Sequence, residues 1–323
     1  MAPHNGSAAV PGTRGPGRRS RSVDLGGPAR YVDFGGPDDG VIVVGVHGLG
    51  GSALNWSAVA PLLTGRCRVI ALDLAGHGLT ESLGRATSVG ANRLLLHRFI
   101  EAVAGGPVIL MGNSMGGMVS LLEAAAAPAA VAGLVLIDAA LPFLPALPDP
   151  FIAALFGAFA MPVVGRLLMG RRRSMPVEQQ VAVVLGLCCV DPSRVPADVV
   201  AEHVELARTR AGFVHVERDF LAAARSVVAT AGPIGGQAYR RAIRSVRVPV
   251  LLVHGERDRL VPASASRAIA RGNPSWPLVV IPGVGHVPQL EAPEQTAEAV
   301  LRWLDSAGRP AARAATHSTA VTA

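Results

Sequence analysis

The chain contains no lysine: all 30 of its basic residues are arginine, among 323 positions. Beside the abundance of Ala, Gly and Val, that uniformity reads as codon bias as much as selection for charge, so the pI of about 10.7 carries little functional weight. Cysteine is equally scarce. Cys67, Cys188 and Cys189 are odd in number and lack framework spacing, which excludes a disulfide scaffold. Reduced thiols, no metal site and a cytoplasmic address are expected from them. Charged residues make up only 16% and mean hydropathy is +0.38, values that suggest a membrane protein until an unbroken apolar span of about 20 residues is sought. None exists. The nearest, residues 151–169, holds Pro162 and Arg166 inside it. The first 22 residues lack the apolar run of a secretory signal. Nor does the net charge of +7 lie where a nucleic-acid face needs it. Arg14, Arg18, Arg19 and Arg21 sit in those first 22 residues, and Arg309 and Arg313 in the last 17. The body is left nearly neutral, so no nucleic-acid partner is expected.

What is present is an α/β pattern. Residues 1–22 and 307–323 are too poor in bulky apolar side chains to offset ordering entropy and are expected to be disordered. Between them, short Val/Ile/Leu runs at 41–46, 68–72, 108–111, 133–137, 248–253 and 278–281 alternate with longer helical stretches. Continuous apolar runs of that length fit strands buried on both faces of a parallel sheet. The alternation stops from 141 to 243, where helical segments rich in Ala, Leu and Val follow one another. That stretch is expected to be a helical insertion, with 23–140 and 244–306 forming the core. Pro142, Pro145, Pro148 and Pro150 mark its start, and Pro249 follows its end.

Three short segments carry the chemistry. Gly112-Asn113-Ser114-Met115-Gly116 follows one apolar run and precedes a helical one, so its G-x-S-x-G pattern falls at a strand-to-helix turn. There the serine hydroxyl stands exposed beside a helix N-terminus whose dipole favours a developing oxyanion. A serine is a weak nucleophile and needs a base, which in turn needs an orienting acid. Asp258, just after the run 248–253, and His286, just after 278–281, supply the acid and the base in the chain order Ser, Asp, His. His47-Gly48-Leu49-Gly50-Gly51 follows the run 41–46 and can turn backbone N–H groups toward the site. Leu49 N–H and Met115 N–H are the expected oxyanion donors. The segment lacks the G-x-G-x-x-G spacing and the G-K-[ST] ending of phosphate loops.

Taken in order, HGLGG (47–51), DLAGHG (73–78), GNSMGG (112–117), HGERD (254–258) and GVGH (283–286) resemble the α/β-hydrolase superfamily. The resemblance spans about residues 30–140 and 245–305. It implies the α/β-hydrolase fold, a helical cap over the site at 141–243, a serine hydrolase mechanism and no cofactor. Ser114 sets the chain apart from relatives with an Asp nucleophile, such as haloalkane dehalogenases and epoxide hydrolases. Asp138, at the end of the run 133–137, holds the alternative acid position of some relatives and ranks below Asp258.

Asn113 makes the GNSMGG segment similar to that of the meta-cleavage C–C bond hydrolases. The chain departs from them in carrying HGLGGS where they carry HGSGPG, and Val287 where they carry Trp after the catalytic histidine. A carboxylic ester with an apolar or lipid-like acyl group is therefore the leading expectation. C–C hydrolysis, thioester hydrolysis and acyl transfer are the enzymatic alternatives, and a small-ligand receptor on the same fold is the non-enzymatic one. Phe151, Leu155, Phe159 and Val287 are the expected substrate contacts. Residues 141–247 hold 13 Arg against 8 Asp and Glu, with Arg171, Arg172 and Arg173 directly after the apolar run. That pairing is what anchoring to anionic lipid requires, so peripheral membrane contact through the cap is expected.

Overall fold

Val and Ile are stiff at χ1 and pack well on a pleated surface, and the runs rich in them form strands. The computed structural model describes residues 18–142, 149–232 and 235–308. Its strands are β1 (Arg19–Asp24), β2 (Pro28–Gly35), β3 (Ile42–Val46), β4 (Arg68–Leu72), β5 (Val108–Asn113), β6 (Val131–Ile137), β7 (Val250–Gly255) and β8 (Leu278–Ile281). They form one sheet in the order β1-β2-β4-β3-β5-β6-β7-β8, antiparallel at β1-β2 and β2-β4 and parallel elsewhere. All six expected strands are present. The fold is the α/β-hydrolase fold.

The helices are α1 (Ala60–Leu63), α2 (Val89–Phe99), α3 (Met115–Ala126), α4 (Pro150–Ala160), α5 (Pro162–Arg173), α6 (Val177–Cys188), α7 (Ala197–Arg210), α8 (Val216–Ala231), α9 (Gly236–Ser245), α10 (Ala263–Gly272), α11 (Pro288–Glu291) and α12 (Pro293–Trp303). Alternate residues of the central strands enter opposite cores, which is why their runs are continuously apolar. Val44, Val46, Leu110, Leu134 and Leu252 pack with α2, α3, α8 and α9 on one face. Val43, Ile109, Met111, Val135 and Val253 pack with α1 and α12 on the other.

The register brings the carboxyl ends of the parallel strands to one edge: Val46 pairs with Gly112, Asn113 with Ile137, and Ile137 with Val253. His47, Ser114 and Asp138 are the next residues along their strands. The chain leaves β3 for β4 on one side and returns to β5 on the other. Open α/β sheets bind ligands at such a reversal, and here it falls between the HGLGG loop and Ser114.

Two expected boundaries move. Arg19, Ser20, Arg21 and Ser22, assigned to a disordered leader, belong to β1, which pairs along its whole length with β2, and Arg18 pairs with Glu202; Met1 to Gly17, including Arg14, lie outside the described residues. The C-terminal tail, expected to start at 307, is preceded by a helical turn that runs to Gly308, and 309–323 lie outside the described residues. The described residues of the insertion form α4 to α9 with short connections and no strand; Pro145 and Pro148 are outside them. Its expected end at 243 falls inside α9, whose Tyr239 and Ile243 are buried in the same core as α3. Tyr239 donates its hydroxyl proton to Ala140 O at 2.9 Å, so α9 is part of the layer over the sheet.

Candidate active site

β5 ends one residue before Ser114, and α3 begins one residue after it. Ser114 has φ 55° and ψ −120°, a conformation that costs a non-glycine residue energy and that the surroundings must hold in place. The turn leaves no room for side chains beside it. A Cβ on Gly116 would lie 2.0 Å from Val46 O, and one on Gly112 would lie 2.6 Å from Gly116 O. Ser114 occupies the N-cap position of α3, yet its side chain makes no capping bond. Its hydroxyl is therefore not committed to the helix, which is unusual for a serine placed there.

His286 is held at four points. Its Nδ1–H donates to Asp258 Oδ2 at 2.7 Å, which leaves the lone pair on Nε2. Its backbone N–H donates to Cys188 O, at the end of α6, at 2.6 Å. Its carbonyl accepts from Asn113 Nδ2 at 3.0 Å, and the same amide donates to Ile137 O at 3.2 Å. The fourth restraint is steric, since a Cβ on Gly285 would meet Cys188 O at 2.3 Å. Asn113 thus ties the loop of His286 to the turn that carries Ser114. The sequence offered one signal for this: a polar residue at the buried end of an apolar strand.

Asp258 Oδ1 accepts from Leu260 N–H at 2.8 Å and from Val261 N–H at 3.1 Å. Burial alone would raise the Asp258 carboxyl. The adjacent His286, with hydrogen bonds from His254 and His286, instead holds it well below the usual carboxylate range. Asp138 is the opposite case. It is fully buried, and burial followed by the charge of Asp258 and a hydrogen bond with it pushes its carboxyl well up. Asp138 Oδ1 accepts from Gly255 N–H at 3.0 Å, whereas Oδ2 has no hydrogen-bond partner among the described residues. Of the two aspartates weighed in the sequence, Asp258 is the one bonded to His286.

Asp138, His254 and Asp258 place donor atoms within 4.8 Å of one another, a set that by residue type could hold a metal. The donors are already engaged. His254 Nε2–H donates to Val261 O at 2.9 Å, and Nδ1 bonds Ser266 Oγ at 2.7 Å. Asp258 Oδ1 accepts from two backbone N–H groups and Oδ2 from His286, with His254 Nε2 3.4 Å from the same oxygen. The set reads as a hydrogen-bonded support behind His286. Burial pushes the thiol of Cys188 up to about 12, so no thiolate competes as a nucleophile, and all three cysteines are free.

The loop after β3 is oriented by His47. Burial, with His77 alongside, pushes its imidazole down to about 3, so the ring is neutral. Nδ1–H donates to Gly48 O at 2.8 Å, while Nε2 accepts from Leu74 N–H at 3.0 Å. In a planar trans peptide the carbonyl and the following N–H point opposite ways, so the bond that draws Gly48 O to His47 turns Leu49 N–H away from it. Met115 N–H begins α3 and has no partner within the helix. Asp73 braces the same loop by accepting from Ala53 and Leu79 N–H, both at 2.7 Å; burial pushes its carboxyl up to about 6.

The expected substrate contacts separate. Phe159 is half-buried, and its ring meets Phe220 edge-on with centroids 5.3 Å apart; Phe220 in turn lies against Gly50 of the HGLGG loop. Leu155 is half-buried on the same helix. Phe151, however, is 60% exposed at the start of α4, and Val287 is buried in a small apolar cluster with Leu185, Val199 and Leu290. α4 turns Phe151 outward, and Val287 packs the insertion onto the core. Phe220 was missed because nothing in α8 distinguishes it from packing residues. A cavity of about 450 Å³ is lined by Cys188, Arg257, Arg259 and Gly285, and neither Ser114 nor His286 lines it.

The sequence pattern of the alpha/beta hydrolase family matches residues 43–299. The chain is similar to the dihydrolipoyllysine-residue acetyltransferase component of the acetoin cleaving system of Pseudomonas putida, with 30% identity over 89% of this chain and 70% of that one. It is also similar to a 2-hydroxy-6-oxo-6-(2'-aminophenyl)hexa-2,4-dienoic acid hydrolase of Metapseudomonas resinovorans, at 28% identity over 88% of this chain and 90% of the other. Among solved structures, a membrane phospholipase A described as a bacterial virulence factor aligns with TM-score 0.65 and 26% identity, covering 90% of this chain and 86% of that one.

Proposed function

The chain belongs to the alpha/beta hydrolase family, and on that premise we propose that it is a serine hydrolase cleaving a carboxylic ester of an apolar acyl group through an acyl-enzyme. The observation that carries this reading is the joint placement of Ser114 and His286. A strained serine with an uncommitted hydroxyl follows the residue whose side chain holds the main chain of the histidine.

In the proposed cycle, His286 Nε2 takes the Ser114 Oγ proton as Oγ bonds to the ester carbonyl carbon. The carbonyl electron pair moves to oxygen and is met by Leu49 and Met115 N–H. The carbon–oxygen bond to the alcohol breaks, and His286 returns its proton to the leaving oxygen. Water then gives a proton to His286 and adds to the acyl carbon. Ser114 leaves with that proton, releasing the carboxylic acid. Asp258, ionised throughout, keeps the imidazole in its working tautomer and stabilises the imidazolium.

Phe159 and Phe220 form an apolar wall over the HGLGG loop, which supports an apolar acyl group and a capping role for the insertion. The likeness to a phospholipase A fits the same substrate class. A second reading, C–C hydrolysis of a vinylogous diketone acid, is favoured by Asn113 and by the likeness to a dienoic acid hydrolase. Initial rates on p-nitrophenyl esters of rising chain length, run beside a dienoate, separate them. Ester turnover that increases with chain length supports the first reading; dienoate cleavage with negligible ester turnover replaces it with the second.

A further inference from the structure

Large apolar side chains that face solvent are gathered in one place. Phe151, Met161, Val163, Val164 and Leu167 are five of the twelve such residues among the described positions, and they fall within 17 consecutive residues of α4 and α5. The two helices together are as apolar as a membrane span, but they bend by 105° at Met161. Among the described residues no single helix is long and apolar enough to cross a bilayer. The bend is fixed: Arg225 Nε donates to Ala160 O at 3.3 Å, and Pro162 begins α5.

At 100° per residue, Val163 and Leu167 share the outer face of α5, while Gly165 and Met169 face inward and are buried. Arg166 and Arg171 flank that outer stripe on its two sides. Both are exposed, and neither makes an ion pair among the described residues. Their neighbours behave differently, since Arg172 is half-buried and Arg173 pairs with Glu217 at 3.5 Å. An apolar stripe between two uncompensated guanidinium groups is the arrangement that lies in a bilayer interface, with arginine stems along the acyl boundary and heads at phosphate level.

We propose that the bent α4–α5 pair is a docking wedge for an anionic lipid surface, with Met161, Val163 and Leu167 entering the acyl boundary and Arg166 and Arg171 meeting the headgroups. This goes beyond the ester-hydrolase reading and does not depend on it, because none of these residues belongs to the proposed catalytic machinery.

The test is co-sedimentation of the full chain with phosphatidylcholine vesicles, with and without phosphatidylglycerol. Binding should require the anionic lipid. It should also weaken as ionic strength rises from about 0.1 M to about 1 M and the Debye length shrinks from about 10 Å to about 3 Å. Arg166→Gln with Arg171→Gln should lower binding by about twenty-five-fold, at roughly fivefold for each charge near the surface. Leu167→Ser should lower it by tenfold or more. The arginines at the N-terminus remain in every variant, so these losses report on the wedge alone. Hydrolysis of a soluble short ester should be unchanged, and circular dichroism should match wild type. Binding that ignores lipid charge, or that survives all three substitutions, overturns the proposal. So does a dimer in sedimentation velocity that Leu167→Ser converts to monomer, because the face would then serve a second copy of the chain.

Discussion

Replacing Asp258 and Asp138 by asparagine, one at a time, separates two carboxylates that lie side by side. In Asp258→Asn the amide oxygen is compelled to stay where Oδ1 now accepts from Leu260 and Val261 N–H, at 2.8 and 3.1 Å. The NH₂ must then replace Oδ2, the atom that accepts from His286 Nδ1–H at 2.7 Å. Two donors cannot face each other, so Nδ1 gives up its hydrogen, Nε2 takes it, and the atom that should accept the Ser114 proton no longer can. A fixed wrong tautomer of this kind costs about 10⁴ in kcat, equivalent to about 5.5 kcal/mol. Asp138→Asn behaves otherwise. Its amide oxygen can keep Gly255 N–H, and its NH₂ takes the place of Oδ2, which accepts no hydrogen bond and lies under the charge of Asp258. A loss within about tenfold is expected, because no bond type changes. The assay is kcat on a p-nitrophenyl ester for both variants, with thermal melts to establish that each is folded. Asp138→Asn losing the larger factor would refute this reasoning and move the orienting role to the end of β6.

The acid limb of the pH profile of kcat/KM should rise with a slope of one. His286 must lose its proton to act, whereas Asp258, held below the ordinary carboxylate range by its two histidines, is already ionised across the assay range. A slope of two would show that Asp258 titrates with it. Asn113→Ala leaves two buried carbonyls, Ile137 O and His286 O, without their donor, and should cost about 1–3 kcal/mol in urea unfolding. It should also lower kcat more than KM, because it frees the loop of His286 from the serine turn; an unchanged kcat in a destabilised protein would make Asn113 a packing residue only.

The six parallel strands were legible because burial on both faces leaves a continuous apolar run. β1 and β2 were not. β1 is RSRSVD, a charged strand at the sheet's outer edge, and edge strands are protected from pairing with other chains by such charge. The same composition reads as a solvated leader when the partner strand is unknown. The proposed site residues Ser114, Asp258 and His286 stood out in the sequence because each follows a strand. The groups that hold them were not, since Asn113 reaches His286 across 173 positions and Cys188 belongs to the insertion. Helix faces were the weakest point. In α4, FIAALFGAFA is apolar on every side, so no periodicity could tell that Phe151 faces out while Ile152 is buried.

The proposed nucleophile is tested most directly by covalent labelling. The full chain, Ser114→Ala and His286→Ala would be treated with a fluorophosphonate, and the adducts located by peptide mass spectrometry. The account predicts one adduct, on Ser114 in the wild-type chain, absent from Ser114→Ala and formed orders of magnitude more slowly in His286→Ala. An adduct on another residue, or a Ser114→Ala protein that still hydrolyses esters within about tenfold of wild type, would contradict it.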